Sequence, residues 1–117
     1  MLVVDDAPEV ASLISAWLRD RYRVYVAHTG LDAMKMADEV RPQLAIIDIL
    51  MARPNGFDIA ETLRAQSTHG PLAILFMTGL PRSENDARAR QVGAVGILHK
   101  PFERDVLLAN VERALGQ

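Results

Sequence analysis

Five residues in this sequence are of types suited to phosphate chemistry: Asp5, Asp6, Asp48, Thr78 and Lys100. Each stands at the end of a short apolar run. Leu2, Val3 and Val4 lead into Asp5 and Asp6, and the stretch from Leu44 to Gly56 (LAIIDILMARPNG) delivers Asp48 into a loop. Leu72 to Met77 (LAILFM) runs into Thr78 and Gly79, while Ala94 to Leu98 (AVGIL) runs through His99 into Lys100 and Pro101. Carboxylates gathered in one place repel each other and raise one another's pKa unless positive charge sits among them. Magnesium meets that need, because it takes hard oxygen ligands from one or two carboxylates, keeps waters and shares phosphate oxygens with a substrate. Lys100 adds a second positive charge and Thr78 a hydroxyl donor. Phosphoryl transfer depends mostly on positioning and on neutralising charge, so a metal, an ammonium and a hydroxyl around a nucleophilic oxygen are enough. Asp48 is the candidate nucleophile, forming an aspartyl phosphate.

Residues this far apart in sequence meet only if the chain brings the ends of the runs together. A fully apolar run bounded by turn residues, such as Pro42 before Leu44 and Pro54-Asn55-Gly56 after Asp48, fits a strand buried on both faces of a parallel sheet. In an open parallel sheet all carboxyl ends lie on one edge, where ligands bind. Helices are expected between the strands. Pro8 is placed as the first residue of one, with Val10, Leu13, Ile14, Trp17 and Leu18 as its apolar face. Tyr22 to Ala27 reads as an edge strand, with Arg23 interrupting its apolar pattern. Thr29 can cap a second helix, whose apolar side is Leu31, Met34 or Ala33, Ala37 and Val40, and Pro42 stops it. Phe57, Ala60 and Leu63 mark a third helix before the break at Gly70-Pro71. Ser83 to Val92 is a weaker helix, capped by Ser83, with little more than Ala87 and Val92 to bury before Gly93 ends it. Val106, Leu107, Val111, Ala114 and Leu115 form the last apolar stripe. Five strands alternating with five helices predict an α/β sandwich.

At 117 residues, half of them hydrophobic, the chain has the size of a single domain over residues 1–117. The first strand begins at once, so a few N-terminal residues of the natural protein are expected to be trimmed. Any output domain is expected outside this chain. The 13 Lys and Arg are interleaved with 15 Asp and Glu, which argues against direct nucleic-acid binding. The sequence contains no cysteine, and so no disulfide framework, which suits a cytoplasmic protein. No apolar run approaches the ~20 residues of a membrane span, so no membrane association is expected. The histidines at 28, 69 and 99 show no ligand spacing. Arg82, Arg88, Arg90 and Arg104 read as a solvated face diluted by Glu84, Asp86 and Glu103.

Taken together, Asp5-Asp6, Asp48 with Gly56 eight positions on, Thr78-Gly79 and Lys100-Pro101-Phe102 resemble the receiver domain of two-component response regulators, of the chemotaxis-regulator type. The resemblance covers nearly the whole chain. It implies a flavodoxin-like doubly wound sheet of five parallel strands, order 2-1-3-4-5, with five helices. It further implies that Asp48 accepts phosphate from a histidine kinase or phosphotransfer protein. Asp6, Asp48 and the backbone carbonyl of Leu50 would hold Mg2+, with Asp5 helping through water. Lys100 would pair with the phosphoryl group, and Thr78 would move to hydrogen bond it. That movement would shift the face made by the fourth helix, fifth strand and fifth helix, controlling an output domain or downstream protein and offering a homodimer surface. The chain would thus be a self-catalysing phosphoacceptor rather than a conventional enzyme. The Lys100-Pro101 bond is expected to be cis.

Several positions depart from the pattern. Residue 97, usually Tyr or Phe, is Ile; Ala52 replaces a proline; His99 replaces a small hydroxyl residue. Leu50 and Leu80 occupy the two places that flank the phosphoryl group, where apolar side chains would hinder water and lengthen the life of the phosphorylated state. Singly, each residue also has a structural reading: Asp5 and Asp6 as helix-dipole partners, Asp48 and Thr78 as turn formers, Lys100 as a solvated lysine. A haloacid dehalogenase-type phosphatase would need a second aspartate where Leu50 stands. A flavin binder would need a Gly/Ser/Thr-rich loop where Asp5 and Asp6 stand. The remaining alternative is a pseudo-receiver, an interaction module regulated by binding rather than phosphorylation, which Ile97 keeps open.

Overall fold

A computed structural model of the chain describes residues 1–52, 54–66 and 71–116. Its strands are β1 (Leu2–Val4), β2 (Tyr25–Ala27), β3 (Leu44–Asp48), β4 (Ala73–Thr78) and β5 (Gly96–His99). The helices between and after them are α1 (Pro8–Leu18), α2 (Gly30–Val40), α3 (Gly56–Gln66), α4 (Arg82–Val92) and α5 (Arg104–Ala114). The strands form one parallel sheet in the order β2-β1-β3-β4-β5. This is the predicted α/β architecture and strand order. It places β2 at one edge, as the broken pattern around Arg23 implied, although that strand starts only at Tyr25. His69 and Gly70 lie outside the described residues.

Because side chains alternate across a strand, the apolar runs feed two cores. Leu2, Val4, Ala45, Ile47, Ile74 and Phe76 face one side, where Ala33 of α2, Ile59, Ala60 and Leu63 of α3, and Ala89 and Val92 of α4 close over them. Val3, Leu44, Ile46, Leu75, Met77 and Leu98 face the other side, under Ile14 and Leu18 of α1 and Leu107, Leu108 and Val111 of α5. Burial on both faces is why β3 and β4 read as continuous apolar runs.

Several helices are turned relative to the expected stripes. In α1 the buried residues are Ala11, Ile14, Ser15 and Leu18, while Leu13 is exposed and Trp17 lies at the rim, edge-on to Phe102. In α2 Leu31 is exposed and Ala33 is buried; in α5 Val106 is exposed and Leu108 is buried. In each case apolar residues one to three positions apart offered competing faces, and the direction from which the helix meets the sheet chose between them. The predicted cap of α2 is present: Thr29 Oγ1 accepts the Asp32 N–H at 3.1 Å. The predicted cap of α4 is not. That helix starts at Arg82, which puts Ser83 inside its first turn and Pro81 at the cap position.

Helix α4 buries Ala89 and Val92 rather than Ala87, and α3 holds it from the side. Arg88 lies over the Phe57 ring at 5.3 Å and donates to Glu61 at 2.9 Å. Arg64 of α3 donates to the Gly93 carbonyl at 2.7 Å, and Gly93 ends α4 at φ 83°, a conformation that favours glycine. Among the described residues, α4 is held by exposed arginine contacts and a thin apolar stripe, which makes it one of the less firmly packed elements.

Candidate functional site

The carboxyl ends of β1, β3, β4 and β5 deliver the five chemical residues to one edge of the sheet. Asp5, immediately after β1, is fully buried. Its Oδ1 accepts the Ala7 N–H at 2.9 Å, while its backbone N–H donates to the Ala27 carbonyl at 3.1 Å. Asp6 is exposed beside it. Asp48, the last residue of β3, is only 6% exposed. One of its oxygens, Oδ1, accepts the Leu50 N–H at 3.2 Å.

Lys100 bridges the two buried acids, with Nζ 3.3 Å from Asp5 Oδ2 and 3.3 Å from Asp48 Oδ2. The bond between Lys100 and Pro101 is cis. Burial raises the Asp48 carboxyl above its ordinary value; the Lys100 ammonium opposes this, and the Asp5 charge reinforces it. The net upward direction means that one ammonium does not offset the burial of two carboxylates.

Asp5, Asp6 and Asp48 each offer a carboxylate oxygen, and these oxygens lie within 4.8 Å of one another. Three hard oxygens with one face open through Asp6, around an acid whose charge is poorly compensated, fit a small divalent cation. Leu50 follows Asp48 in the same loop and is 56% exposed.

Gly56 determines how that loop returns. Its N–H donates to the Ile49 carbonyl at 3.0 Å, and a Cβ there would lie 2.4 Å from the Asp48 carbonyl oxygen and 2.7 Å from Ile49 Cα. Only a glycine lets α3 start directly under the acid.

Thr78 ends β4 fully buried, and its Oγ1 accepts the Leu80 N–H at 3.0 Å. Its carbonyl takes the Lys100 N–H at 2.7 Å, tying the ends of β4 and β5 together. The structure therefore brings all five residues to one edge of the sheet, with the Thr78 hydroxyl bonded within its own loop.

Two histidines have no ligand spacing in the sequence, and their contacts at the site are not foreseen from it. His28, directly after β2, donates from Nδ1 to the Asp5 carbonyl at 3.0 Å; His99, the last residue of β5, donates from Nδ1 to the Leu80 carbonyl at 3.3 Å. Both sit at strand ends on the site's edge, a signal obscured by looking only for ligand spacing. Of the arginines read as a solvated face, Arg88 is engaged with Glu61 and Phe57, and Arg104 lies 4.0 Å from Asp20. No helix among the described residues is long and apolar enough to cross a membrane.

Comparison with known proteins agrees with this geometry. The sequence pattern described as response regulator receiver domain matches residues 1–112. The DNA-binding dual master transcriptional regulator RpaA of Synechocystis sp. is 28% identical over 98% of this chain and 48% of its own length. Regulatory protein VanRB of Enterococcus faecalis is 34% identical over 98% of this chain and 51% of its own. The chain thus spans about half the length of these curated relatives. Among solved structures, the chemotaxis protein CheY4 of Vibrio cholerae superposes with a TM-score of 0.91 at 33% identity, covering 97% of this chain and 96% of that one.

Proposed function

We propose that this chain, which belongs to the response regulator receiver domain family, is a phosphorylation-activated switch whose acceptor is Asp48. The observation that carries this reading is the buried, undercompensated Asp48 carboxylate, with Lys100 at 3.3 Å and Asp5 and Asp6 beside it. An Asp48 oxygen forms the bond to phosphorus as the donor's P–N or P–O bond breaks, and the leaving group takes a proton from solvent. Lys100 is placed to follow the charge onto a phosphoryl oxygen, and the Leu50 N–H to hold the other carboxylate oxygen. Thr78 has a hydroxyl hydrogen to donate, since its Oγ1 now acts as acceptor to Leu80. Asp5, Asp6, Asp48 and the Leu50 carbonyl would hold Mg2+, which when bound neutralises charge on the transferring phosphoryl oxygens.

In this reading the donor is a histidine kinase or phosphotransfer protein, and the chain is a cytoplasmic phosphoacceptor that catalyses its own loading and unloading rather than a conventional enzyme. Movement of Thr78 changes the α4-β5-α5 face, which controls an output domain or downstream protein and is a surface for homodimerisation. The names of RpaA and VanRB, regulators twice as long as this chain, support an attached output. Intact mass after incubation with Mg2+ and acetyl phosphate tests the reading. A gain of one phosphoryl group is expected in the parent and in neither Asp48→Asn nor a chelated sample. A folded parent that gains nothing would instead favour the interaction module regulated by binding.

Leu50 and Leu80 give the switch its expected timing. Leu50 is exposed beside Asp48, and Leu80 is bonded to Thr78. Apolar side chains on both sides offer an attacking water no partner. Leu50→Asn is expected to shorten the life of the phosphorylated state roughly threefold or more, a change of only about 0.7 kcal/mol in barrier. An unchanged dephosphorylation time course would remove the shielding role.

A further inference from the structure

Residue 97 of β5 is Ile, whose side chain offers no hydrogen bond, yet the loop after Thr78 is not left unsupported. The support comes two residues further along the same strand. Residues 97 and 99 of β5 project to the same face of the sheet, because side chains alternate. Ile97 packs into the core under α2, α3 and α4, which directs His99 toward the same side, at the start of α4. There its Nδ1 meets the Leu80 carbonyl at 3.3 Å. A carbonyl can only accept, so Nδ1 carries the hydrogen.

Leu80 is therefore gripped at both of its backbone polar groups. Its N–H donates to Thr78 Oγ1 at 3.0 Å, and its C=O accepts from His99. Thr78 and His99 are also cross-strand partners, and the Lys100 N–H bonds the Thr78 carbonyl at 2.7 Å. A closed circuit results, running Thr78, Leu80, His99, Lys100 and back to Thr78. It joins the Thr78 hydroxyl, the Leu80 backbone and Lys100 through residues of two strand ends. From this circuit we infer that His99 is a positioning residue for the β4–α4 loop: it holds Leu80 in place and thereby sets both the Thr78 hydroxyl and the apolar shield over Asp48.

The inference deepens the phosphoacceptor reading and rests on it for its consequence in chemistry, but the positioning itself can be read without phosphate. His99→Leu keeps a side chain of similar bulk and removes the donor. His99→Asn restores one, because Asn Nδ2 stands the same number of bonds from Cα as His Nδ1. Amide hydrogen exchange at Leu80 is measured by NMR on the 117-residue chain. The life of the phosphorylated state is measured after loading with acetyl phosphate and Mg2+. His99→Leu is expected to speed Leu80 exchange and shorten the phosphoryl lifetime by about three- to tenfold, the range set by one lost hydrogen bond. His99→Asn is expected to bring both within about twofold of the parent. If His99→Leu does not fold, His99→Ala, which also lacks a donor, is compared with His99→Asn in its place.

A role in packing alone predicts that Asn is as impaired as Leu, and that result overturns the inference. Unchanged exchange in His99→Leu overturns it too, as does changed exchange with an unchanged lifetime. A parent that takes up no phosphate defeats the phosphoacceptor reading instead, and Leu80 exchange in the variants still decides whether His99 positions the loop.

Discussion

Replacing Gly56 with alanine is expected to destabilise the protein by about 3 kcal/mol or more and to abolish phosphoryl uptake even where the chain remains folded. The added Cβ would stand 2.4 Å from the Asp48 carbonyl oxygen and 2.7 Å from Ile49 Cα. Both are backbone atoms, so no rotamer change relieves the overlap. Either α3 moves away from the sheet, taking Phe57 off Phe76 and Arg88, or the end of β3 moves and displaces the Asp48 carboxylate from Lys100. Gly79 provides the control: a Cβ there meets nothing within 4 Å, so Gly79→Ala should be tolerated. Urea unfolding and intact mass after acetyl phosphate treatment read the two effects. A loss under about 1 kcal/mol in Gly56→Ala, with uptake intact, would show that the loop adapts in a way this packing does not allow.

The convergence of the site residues was legible in the sequence because parallel strands leave a plain signature. Runs such as LAIID and LAILFMT are apolar without alternation, and whatever follows them must emerge at the same edge, so the pattern alone gathers Asp5, Asp48, Thr78 and Lys100. Helix orientation was less legible. Leu13, Leu31 and Val106 are as apolar as the residues actually buried, and only the approach of each helix to the sheet leaves them exposed. Ala11, Ser15 and Ala33 occupy the inner faces instead, where small side chains suit close approach, and a count of large apolar residues overlooks them.

The same limit explains the histidines. Ligand spacing says nothing of a histidine that donates, and His28 and His99 donate to carbonyls of the site's own loops. The arginines of α3 and α4 follow this pattern, since Arg64 and Arg88 look like surface charge in sequence yet hold α4 against α3 through Gly93, Glu61 and Phe57. Long-range contacts between polar side chains and backbone carry no periodicity and so leave no trace in the pattern.

The buried acidic site is expected to cost the free protein stability, and Asp48→Asn should recover it. Burial raises the Asp48 carboxyl above its ordinary value of 3.8, with Asp5 adding to the rise and Lys100 only partly countering it. The folded state therefore binds a proton more tightly than the unfolded chain. Its contribution to stability is present at low pH and is lost as pH rises from about 3.8 through the raised folded value. Above that window the parent holds an ionised Asp48 at a net cost. Asp48→Asn keeps the shape, retains an acceptor oxygen for the Leu50 N–H and leaves Lys100 paired with Asp5 alone. In chelated buffer at neutral pH the variant should be more stable than the parent, with a higher melting temperature. The advantage should shrink toward zero below the ordinary carboxylate value. Adding Mg2+ should stabilise the parent more than the variant, because a cation among Asp5, Asp6 and Asp48 supplies the charge that Lys100 alone does not. Melting curves with and without Mg2+ across the acidic range check all three signs. Parallel stability curves for parent and variant would mean that Lys100 already balances the site and that its acids need no cation.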